Sequence, residues 1–381
     1  MKQNAVAVLD FGSEKLTVLV GRRGINNTLA IDGRGEAAYS GFAEGTFFQP
    51  DKLGQAVSVA INAAENMAQT KITSLYVGVP GDFTVCISKS VAVSFGGKKR
   101  ITDSDVNSLH QKNEEPADPD LVLLNTQPVY YTISDERRLI EPVGMQSSVL
   151  SGLISYLYAE RYFVDTVTAI LRDLGISNIE FTSSVLAEVL FLFDARKRDQ
   201  YVVLIDVGYL TTTVSVARGD GILSLHTFSY GGVNITGEIA RMLKIPFTDA
   251  EALKRKVSLS LSMSDTDYYE YEDGKYPAKV INEAVTEKIA VIAKAVYKCL
   301  DLCEYEIPQN IPFSLTGGGI SYIRGAKDVV LSILMRQVEL SVPKIPQLDM
   351  PHLSSSLGLL DMALNVEMPE KRGLWAKIFR K

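Results

Sequence analysis

Two aspartates stand where a chain could hold a hydrated cation against a phosphate. Asp10 ends the apolar run Val6-Ala7-Val8-Leu9 and leads into Phe11-Gly12-Ser13. Asp206, 196 positions later, ends Val202-Val203-Leu204-Ile205 and leads into Val207-Gly208-Tyr209. Each Asp-x-Gly turn is followed by a second apolar strand, Leu16 to Val20 in the first copy and Thr211 to Ala217 in the second. Such a turn can aim backbone N–H groups at phosphate oxygens while its carboxylate reaches Mg²⁺ through water. A third strand end, Phe313-Ser314-Leu315-Thr316, runs into Gly317-Gly318-Gly319, where the missing side chains let the backbone lie flat against a ligand. Each element alone is also an ordinary hairpin or loop, because Gly tolerates positive φ and Asp bonds its own backbone. In the order Asp-Gly, Asp-Gly, Gly-Gly-Gly they predict two similar halves closing over a nucleotide, with Asp10 and Asp206 facing the metal.

The elements that must position these turns alternate between strand and helix. Residues 1 to 80 read as three strands, a helix from Asp51 to Gln69 and a strand from Ile72 to Val79 ending at Pro80-Gly81. That helix carries a stripe through Leu53, Val57, Ile61, Ala64 and Met67, spaced as a buried face. The order suggests a mixed α/β sheet. From Asp82 to Tyr158 the texture becomes that of a small α+β insert. It has a β-rich stretch from Thr84 to Phe95, a helix capped by Thr102-Asp103-Ser104-Asp105, and strands from Leu121 to Asn125 and Val129 to Ile133. It holds no phosphate turn, so a binding or assembly role is expected of it. Further helices are predicted over Val164 to Leu174, Ser184 to Phe193, Asp249 to Val257, Tyr276 to Cys303 and Leu357 to Leu364. Val280, Ala284, Ile289, Ile292, Val296 and Leu300 are expected inside the fourth of these, and the acidic, tyrosine-rich stretch Asp265 to Lys275 reads as a solvated loop.

Composition narrows the function. With 381 residues, 46% hydrophobic and 22% charged, the chain can build two or more cored domains. A net charge of -6 argues against general nucleic-acid binding, which needs a basic face. Cys86, Cys299 and Cys303 form neither a zinc pattern nor a disulfide framework, so a reducing cytosol is expected. The N-terminus enters a strand at once, without room for an export signal, and no apolar run approaches the roughly 20 residues needed to span a bilayer.

These residues resemble the bacterial cell-division protein FtsA family, within the actin, Hsp70 and sugar-kinase superfamily. Asp10-Phe11-Gly12-Ser13-Glu14-Lys15 is similar to that family's first phosphate turn, Asp206-Val207-Gly208 to the start of its second, and Leu315-Thr316-Gly317-Gly318-Gly319 to its adenosine loop. Tyr76-Val77-Gly78-Val79-Pro80-Gly81, Pro142-Val143-Gly144-Met145 and His226 to Gly232 also match in order and spacing. The resemblance implies an actin-like ATPase fold of two related halves, α/β throughout, with the insert in the first. Residues 1–81 and 161–195, completed by 350–366, would form the first core and 82–160 the insert. The second core would be 196–235 and 310–349, carrying a subdomain at 236–309 and followed by a tail at 367–381. It further implies ATP and Mg as cofactors, held by Asp10, Gly12, Ser13, Lys15, Asp206, Gly208, Thr211, Thr212 and Gly317 to Gly319, and it assigns Glu251, Lys254 and Arg255 to the nucleoside. Apart from the resemblance, a solvated charged face is the plainer reading of those last three.

Departures from the family pattern are informative. Tyr209-Leu210-Thr211-Thr212-Thr213 stands where the family has two more glycines and ends in Thr-Thr-Asp, so bulk restricts the turn and a carboxylate is missing. Thr182-Ser183 stands where the family carries Gln-Pro, leaving no evident residue to orient water. Phosphoryl transfer depends on positioning and charge stabilisation, so hydrolysis is expected to be slow or absent.

The last residues, Glu370 to Lys381, carry the only tryptophan and five basic residues. As a helix they would place Leu374, Trp375, Ile378 and Phe379 on one face and Lys377, Arg380 and Lys381 on the other, the pattern of a helix lying in an anionic membrane interface. An ordinary terminal helix docked on the protein's own surface is the plainer alternative. By resemblance the chain is a peripheral protein on the cytoplasmic face of the membrane at the division septum. It would self-assemble, bind other divisome proteins through the insert, and bind the C-terminal peptide of the tubulin-like protein FtsZ. Ala284 replaces an arginine often present in the FtsZ groove, which leaves Lys275, Lys279 and Lys288 as basic candidates. A pilus-assembly scaffold of the PilM type and a kinase-like phosphotransferase are the competing readings on the same fold.

Overall fold

A computed structural model describes residues 5–112 and 118–366 of the chain. Its first sheet begins as an antiparallel meander of β1 (Val6–Phe11), β2 (Lys15–Arg23) and β3 (Leu29–Ala38). A short ribbon follows, β4 (Phe42–Ala43) with β5 (Thr46–Phe47). The helix α1 (Pro50–Ala68) then crosses over to β6 (Ser74–Val79), which lies parallel to β1. Leu53, Val57, Ala60, Ile61 and Ala64 form the buried face of α1. It rides very close to β3, because Cβ atoms at Gly33 and Gly35 would fall 2.4 Å from the Ala64 carbonyl oxygen and 1.9 Å from that of Ala60. Met67 leaves the stripe and is 59% exposed, its place in the last turn taken by Ala68, which packs on Gly33.

The insert is one antiparallel sheet of β7 (Thr84–Arg100), β8 (Leu121–Ile133), β9 (Arg138–Leu139) and β10 (Gln146–Glu160), in the order β7-β10-β8-β9, with α2 (Asp103–Gln111) beside it. The capping box holds. The Thr102 N–H donates to Asp105 Oδ2 at 2.9 Å, and the Asp105 N–H to Thr102 Oγ1 at 3.4 Å. The two strands expected on either side of Gln127 are a single strand. Pro128 stays in the ladder opposite Ile154, and a bulge at Val129, facing the step from Leu153 to Ile154, absorbs the missing N–H. Tyr156, Tyr158, Leu109 and Ile101 make a core separate from those of the two halves.

The chain returns through α3 (Arg161–Asp173) to β11 (Asn178–Ser183), parallel to β6, then α4 (Ser184–Leu192) and the single turn α5 (Ala195–Arg198). The second half repeats the first. The meander β12 (Val202–Val207), β13 (Thr212–Arg218), β14 (Gly221–Phe228) is followed by α6 (Gly232–Leu243), α7 (Phe247–Lys254), the hairpin β15 (Tyr268–Tyr271) with β16 (Gly274–Pro277), and α8 (Ala278–Asp301). The parallel strand β17 (Phe313–Thr316), α9 (Ala326–Leu334) and β18 (Val338–Leu340) complete the sheet. The two sheets have the same order, β3-β2-β1-β6-β11 and β14-β13-β12-β17-β18. Their hairpins also share one register, Val6 opposite Gly21 and Asp10 opposite Thr17 in the first, Val202 opposite Ala217 and Asp206 opposite Thr213 in the second. Finally α10 (Ser354–Val366) returns to the first half and packs on α4, β1 and β2.

Two expectations fail in the region 236–309. The stretch read as a solvated loop contains the hairpin β15–β16, anchored where Tyr269 Oη accepts from the Ser258 N–H at 3.0 Å and donates to Asn282 Oδ1 at 2.8 Å. Tyr276 therefore belongs to a strand, and α8 begins at Ala278. Val280 on its first turn is 42% exposed, while Ile281 takes the interior position. Leu300 is half-buried.

Candidate nucleotide cleft

Strand ends from both halves converge on one cleft. The two hairpin turns close identically: the Gly12 N–H donates to the Lys15 carbonyl at 3.1 Å, and the Gly208 N–H to the Thr211 carbonyl at 2.9 Å. They also meet, since Ser13 Oγ accepts from the Leu210 N–H at 3.0 Å. Asp10, Gly12, Ser13, Lys15, Asp206, Gly208, Thr211, Glu251, Lys254, Arg255, Gly317 and Gly318 all line the space between. Counting its open mouth, that space is about 1080 Å³, at the upper end of the usual size of small-molecule sites. Thr212 and Gly319 do not line it. Thr212 is fully buried with its hydroxyl donating to the Tyr230 carbonyl at 2.7 Å, and the Gly319 N–H donates to the Val207 carbonyl at 2.7 Å, so both brace the second turn from behind.

Buried acids dominate one end. Asp10 Oδ1 accepts from Ser355 Oγ at 2.9 Å and Ser184 Oγ at 3.3 Å, whereas no donor among the described residues reaches the Asp206 carboxylate. Glu188, projecting from α4, accepts from Ser354 Oγ at 2.5 Å. Burial pushes Asp10 up to about 6, and burial together with the Asp10 charge raises Asp206 as well. Glu188 is held far above the usual carboxylate range by burial and by the charge of Asp206. Three carboxylates facing one low-dielectric space repel, and a cation or protons must relieve them. No three His, Cys, Asp or Glu side chains among the described residues stand as a direct ligand cage, so a cation here would be reached through water.

The other end is built by α6 and α7. Glu251 Oε2 accepts from Lys254 Nζ at 2.7 Å and Thr236 Oγ1 at 2.5 Å, while Oε1 accepts from Arg255 Nε at 3.2 Å. Lys254 is 1% exposed, and its ammonium also donates to the Gly232 carbonyl at 3.0 Å. The trio is therefore neither a solvated face nor three free ligands: Lys254 ties α7 to the start of α6, and Glu251 and Arg255 keep edges in the cleft. The first two amides of α6 are also committed, Gly232 and Val233 donating to the carbonyls of Gly208 and Tyr209 at 3.0 and 2.9 Å. That bracing lets the turn accept Tyr209 and Leu210, neither of which needs a positive φ. Lys15 pairs with Glu36 of the neighbouring strand β3 at 2.9 Å.

Two acids of the cleft escaped the sequence reading. Glu188 is the only charge in the apolar helix Ser184–Leu192, and that isolation was its signal. Asp82 follows β6, the strand that matches β17; by register Val79-Pro80-Gly81 stands in the first half where Gly317 to Gly319 stand in the second, and Asp82 comes next and lines the cleft. Asp82 Oδ1 accepts from the Glu44 N–H at 3.2 Å, the Thr211 hydroxyl bonds it, and burial raises it to about 6. Thr182 and Ser183 line no part of the cleft. Asn125 holds both, accepting from the Ser183 N–H at 2.9 Å. Lys275, Lys279 and Lys288 are each ion-paired, with Glu270, Asp265 and Glu238. The residues expected to meet the membrane, Leu374, Trp375, Lys377, Ile378, Phe379, Arg380 and Lys381, lie outside the described residues.

Paired meander sheets with an inserted domain after the third strand connection define the class: this is an actin-like fold. Solved structures agree, a PilM–PilN type IV pilus biogenesis complex at TM-score 0.64 and 18% identity (95% of this chain, 99% of that one), and MreB5 of Spiroplasma citri bound to AMPPNP at 0.56 and 10% (98% and 100%). Residues 203–358 match the family described as cell division protein FtsA, and residues 81–155 match the SHS2 domain inserted in FtsA. FtsA of Neisseria meningitidis is 24% identical, covering 96% of this chain and 92% of its own length, and FtsA of Enterococcus faecalis is 26% identical over 93% and 82%. The chain belongs to the FtsA family of cell-division proteins.

Proposed function

We propose that this chain is an actin-like adaptor that binds Mg-ATP between its halves, assembles with itself and other division proteins, and ties FtsZ filaments to the cytoplasmic membrane. The observation that carries the reading is the convergence of the two Asp-x-Gly turns and the Gly317 loop on one cleft, beside acids that lack a compensating charge. Asp10 and Asp206 would hold hydrated Mg²⁺, which neutralises phosphate charge when bound. Gly317 and Gly318 present bare backbone to the nucleoside side, and Glu251 with Arg255 edges it. Turnover is slow on this reading. Thr213 supplies a hydroxyl where a carboxylate would activate water, and Glu188, the remaining acid, is already bonded by Ser354 and disposed to keep its proton. No helix among the described residues is long and apolar enough to cross a membrane, so attachment falls to the basic, aromatic stretch after residue 366.

Co-sedimentation with anionic liposomes tests the reading, using the full chain and a chain ending at Asn365, each with and without Mg-ATP and FtsZ. The full chain should pellet with liposomes and carry FtsZ down, and the shortened chain should do neither. Equal pelleting removes the anchor; FtsZ sedimentation that ignores this protein removes the adaptor role.

A further inference from the structure

The helix α10 joins the cleft to the point where the chain leaves the described structure. Its first residues, Ser354 and Ser355, bond the cleft acids, and it then runs alongside β2 away from them. Just past its midpoint Asp361 pairs with Arg23 at 2.7 Å, and the second guanidinium nitrogen donates to the Asp361 carbonyl at 3.0 Å. Arg23 is the last residue of β2, so the turn between β2 and β3 lies beside the last turns of α10. Seven residues lie between Val366 and Leu374, a span of roughly 28 Å at most when fully extended. Any membrane that takes up residues 374–381 is thereby drawn to this end of the body.

The turn is built to hold an apolar side chain outward. Asn26 and Asn27 both take left-handed backbone, φ 56° and 61°. The Gly24 N–H donates to the Thr28 carbonyl at 2.8 Å, and Thr28 Oγ1 to the Ile25 carbonyl at 2.8 Å. On this closed turn Ile25 is 86% exposed, the most exposed of the large hydrophobic side chains among the described residues. Since Ala68 packs under Gly33, the last turn of α1 reaches the same end of the sheet and brings Met67 there, 59% exposed. The nearby arginines are matched: Arg22 pairs with Asp32 at 3.0 Å and Arg23 with Asp361. This end adds little charge of its own, so it meets headgroups without repulsion and offers apolar surface.

We infer that the Ile25 turn is a second lipid-contacting element, which enters the interface of an anionic bilayer beside the C-terminal tail and fixes the orientation of the body. The inference rests on the tail being a membrane anchor. One exposed aliphatic residue contributes modestly, but a tethered body presents it at high effective concentration. Two contacts also set an angle that one flexible tether cannot.

The test uses the full chain and vesicles of phosphatidylcholine and phosphatidylglycerol. Ile25→Glu should weaken flotation roughly fivefold to tenfold, the worth of one buried aliphatic group at an interface, with an unchanged melting temperature because the site is exposed. Met67→Glu should give a smaller loss. In a Trp375→Phe background, Ile25→Trp supplies the only tryptophan, and its emission should shift to the blue and be quenched by brominated lipid. Flotation unchanged by Ile25→Glu and no quenching at position 25, with binding abolished by removing residues 367–381, overturns the second contact and leaves the anchor standing. If removing 367–381 changes nothing, or the full chain does not float, the anchor fails and the inference falls with it.

Discussion

The turns after β1 and β12 share register, turn closure and an aspartate, yet the two aspartates live differently. Asp10 is held by two hydroxyls, one from α4 and one from α10, so its place is fixed by the first half alone. Asp206 has no donor among the described residues and is instead pressed by backbone: a Cβ on Gly317 would lie 2.1 Å from its Oδ1 and 2.4 Å from the Val207 carbonyl oxygen. The difference teaches that a duplicated scaffold can offer one pre-organised and one uncommitted acid. The uncommitted one depends on what binds.

The matching loops should separate the two halves by the largest margin. Gly317 combines φ +89° with a backbone and carboxylate wall, so Gly317→Val should lower stability by about 3 kcal/mol or more. Gly81, in the matching loop of the first half, faces side-chain atoms, Thr227 Oγ1 at 2.7 Å and Thr213 Oγ1 at 2.9 Å, which can rotate away. Gly81→Ala should therefore cost only about 1 kcal/mol. Urea denaturation measures both, and equal losses would show that the loops are equally committed.

Titration gives the next largest effect. A carboxyl whose folded pKa is raised binds its proton more tightly in the native state. Its stabilising contribution is full below the unfolded value of 3.8 and is lost as pH rises through about 6. Asp10 and Asp206 both act in this direction, the cause being burial first. Without ligand, wild type should be less stable at pH 7 than an Asp10→Asn, Asp206→Asn chain by about 2 kcal/mol. The gap should close toward pH 4, and saturating Mg-ATP should restore wild type alone. A gap that is constant with pH would mean that the acids are not strained.

Much of this arrangement was legible because a repeat constrains twice. The hairpin pattern at Asp10 recurs at Asp206 without a gap, and the sheets that carry them share one order. What escaped detection did so for physical reasons. Glu188 sits in an apolar helix and reaches the cleft only through where α4 points, which periodicity does not report. Asp82 could be read only after β6 and β17 were known to hold equivalent places. The stretch Leu121 to Ile133 reads as two strands around Thr126-Gln127-Pro128, but a bulge at Val129 keeps Pro128 in one continuous strand. Met67 and Val280 matched a helical stripe by spacing, yet each lies in a terminal turn where a neighbour, Ala68 or Ile281, reaches the core first. Lys254 looked like a ligand and is in part a strut, because its ammonium serves the Gly232 carbonyl.

The smallest effect sharpens the comparison most directly. Ser355→Ala removes the shorter of the two hydroxyl bonds to Asp10, a bond that favours the ionised carboxylate, so it should raise the Asp10 pKa further and cost about 1 kcal/mol at neutral pH. Ser184→Ala, losing a 3.3 Å bond, should move it less. Asp206 receives neither hydroxyl, so its own titration should respond only through the altered charge of Asp10. Carbon-13 NMR of labelled aspartate carboxyls reads both midpoints in one sample. A larger shift at Asp206 than at Asp10 would mean that the serines of α10 act on the pair as a unit, and that the anchored and bare aspartates are one site rather than two.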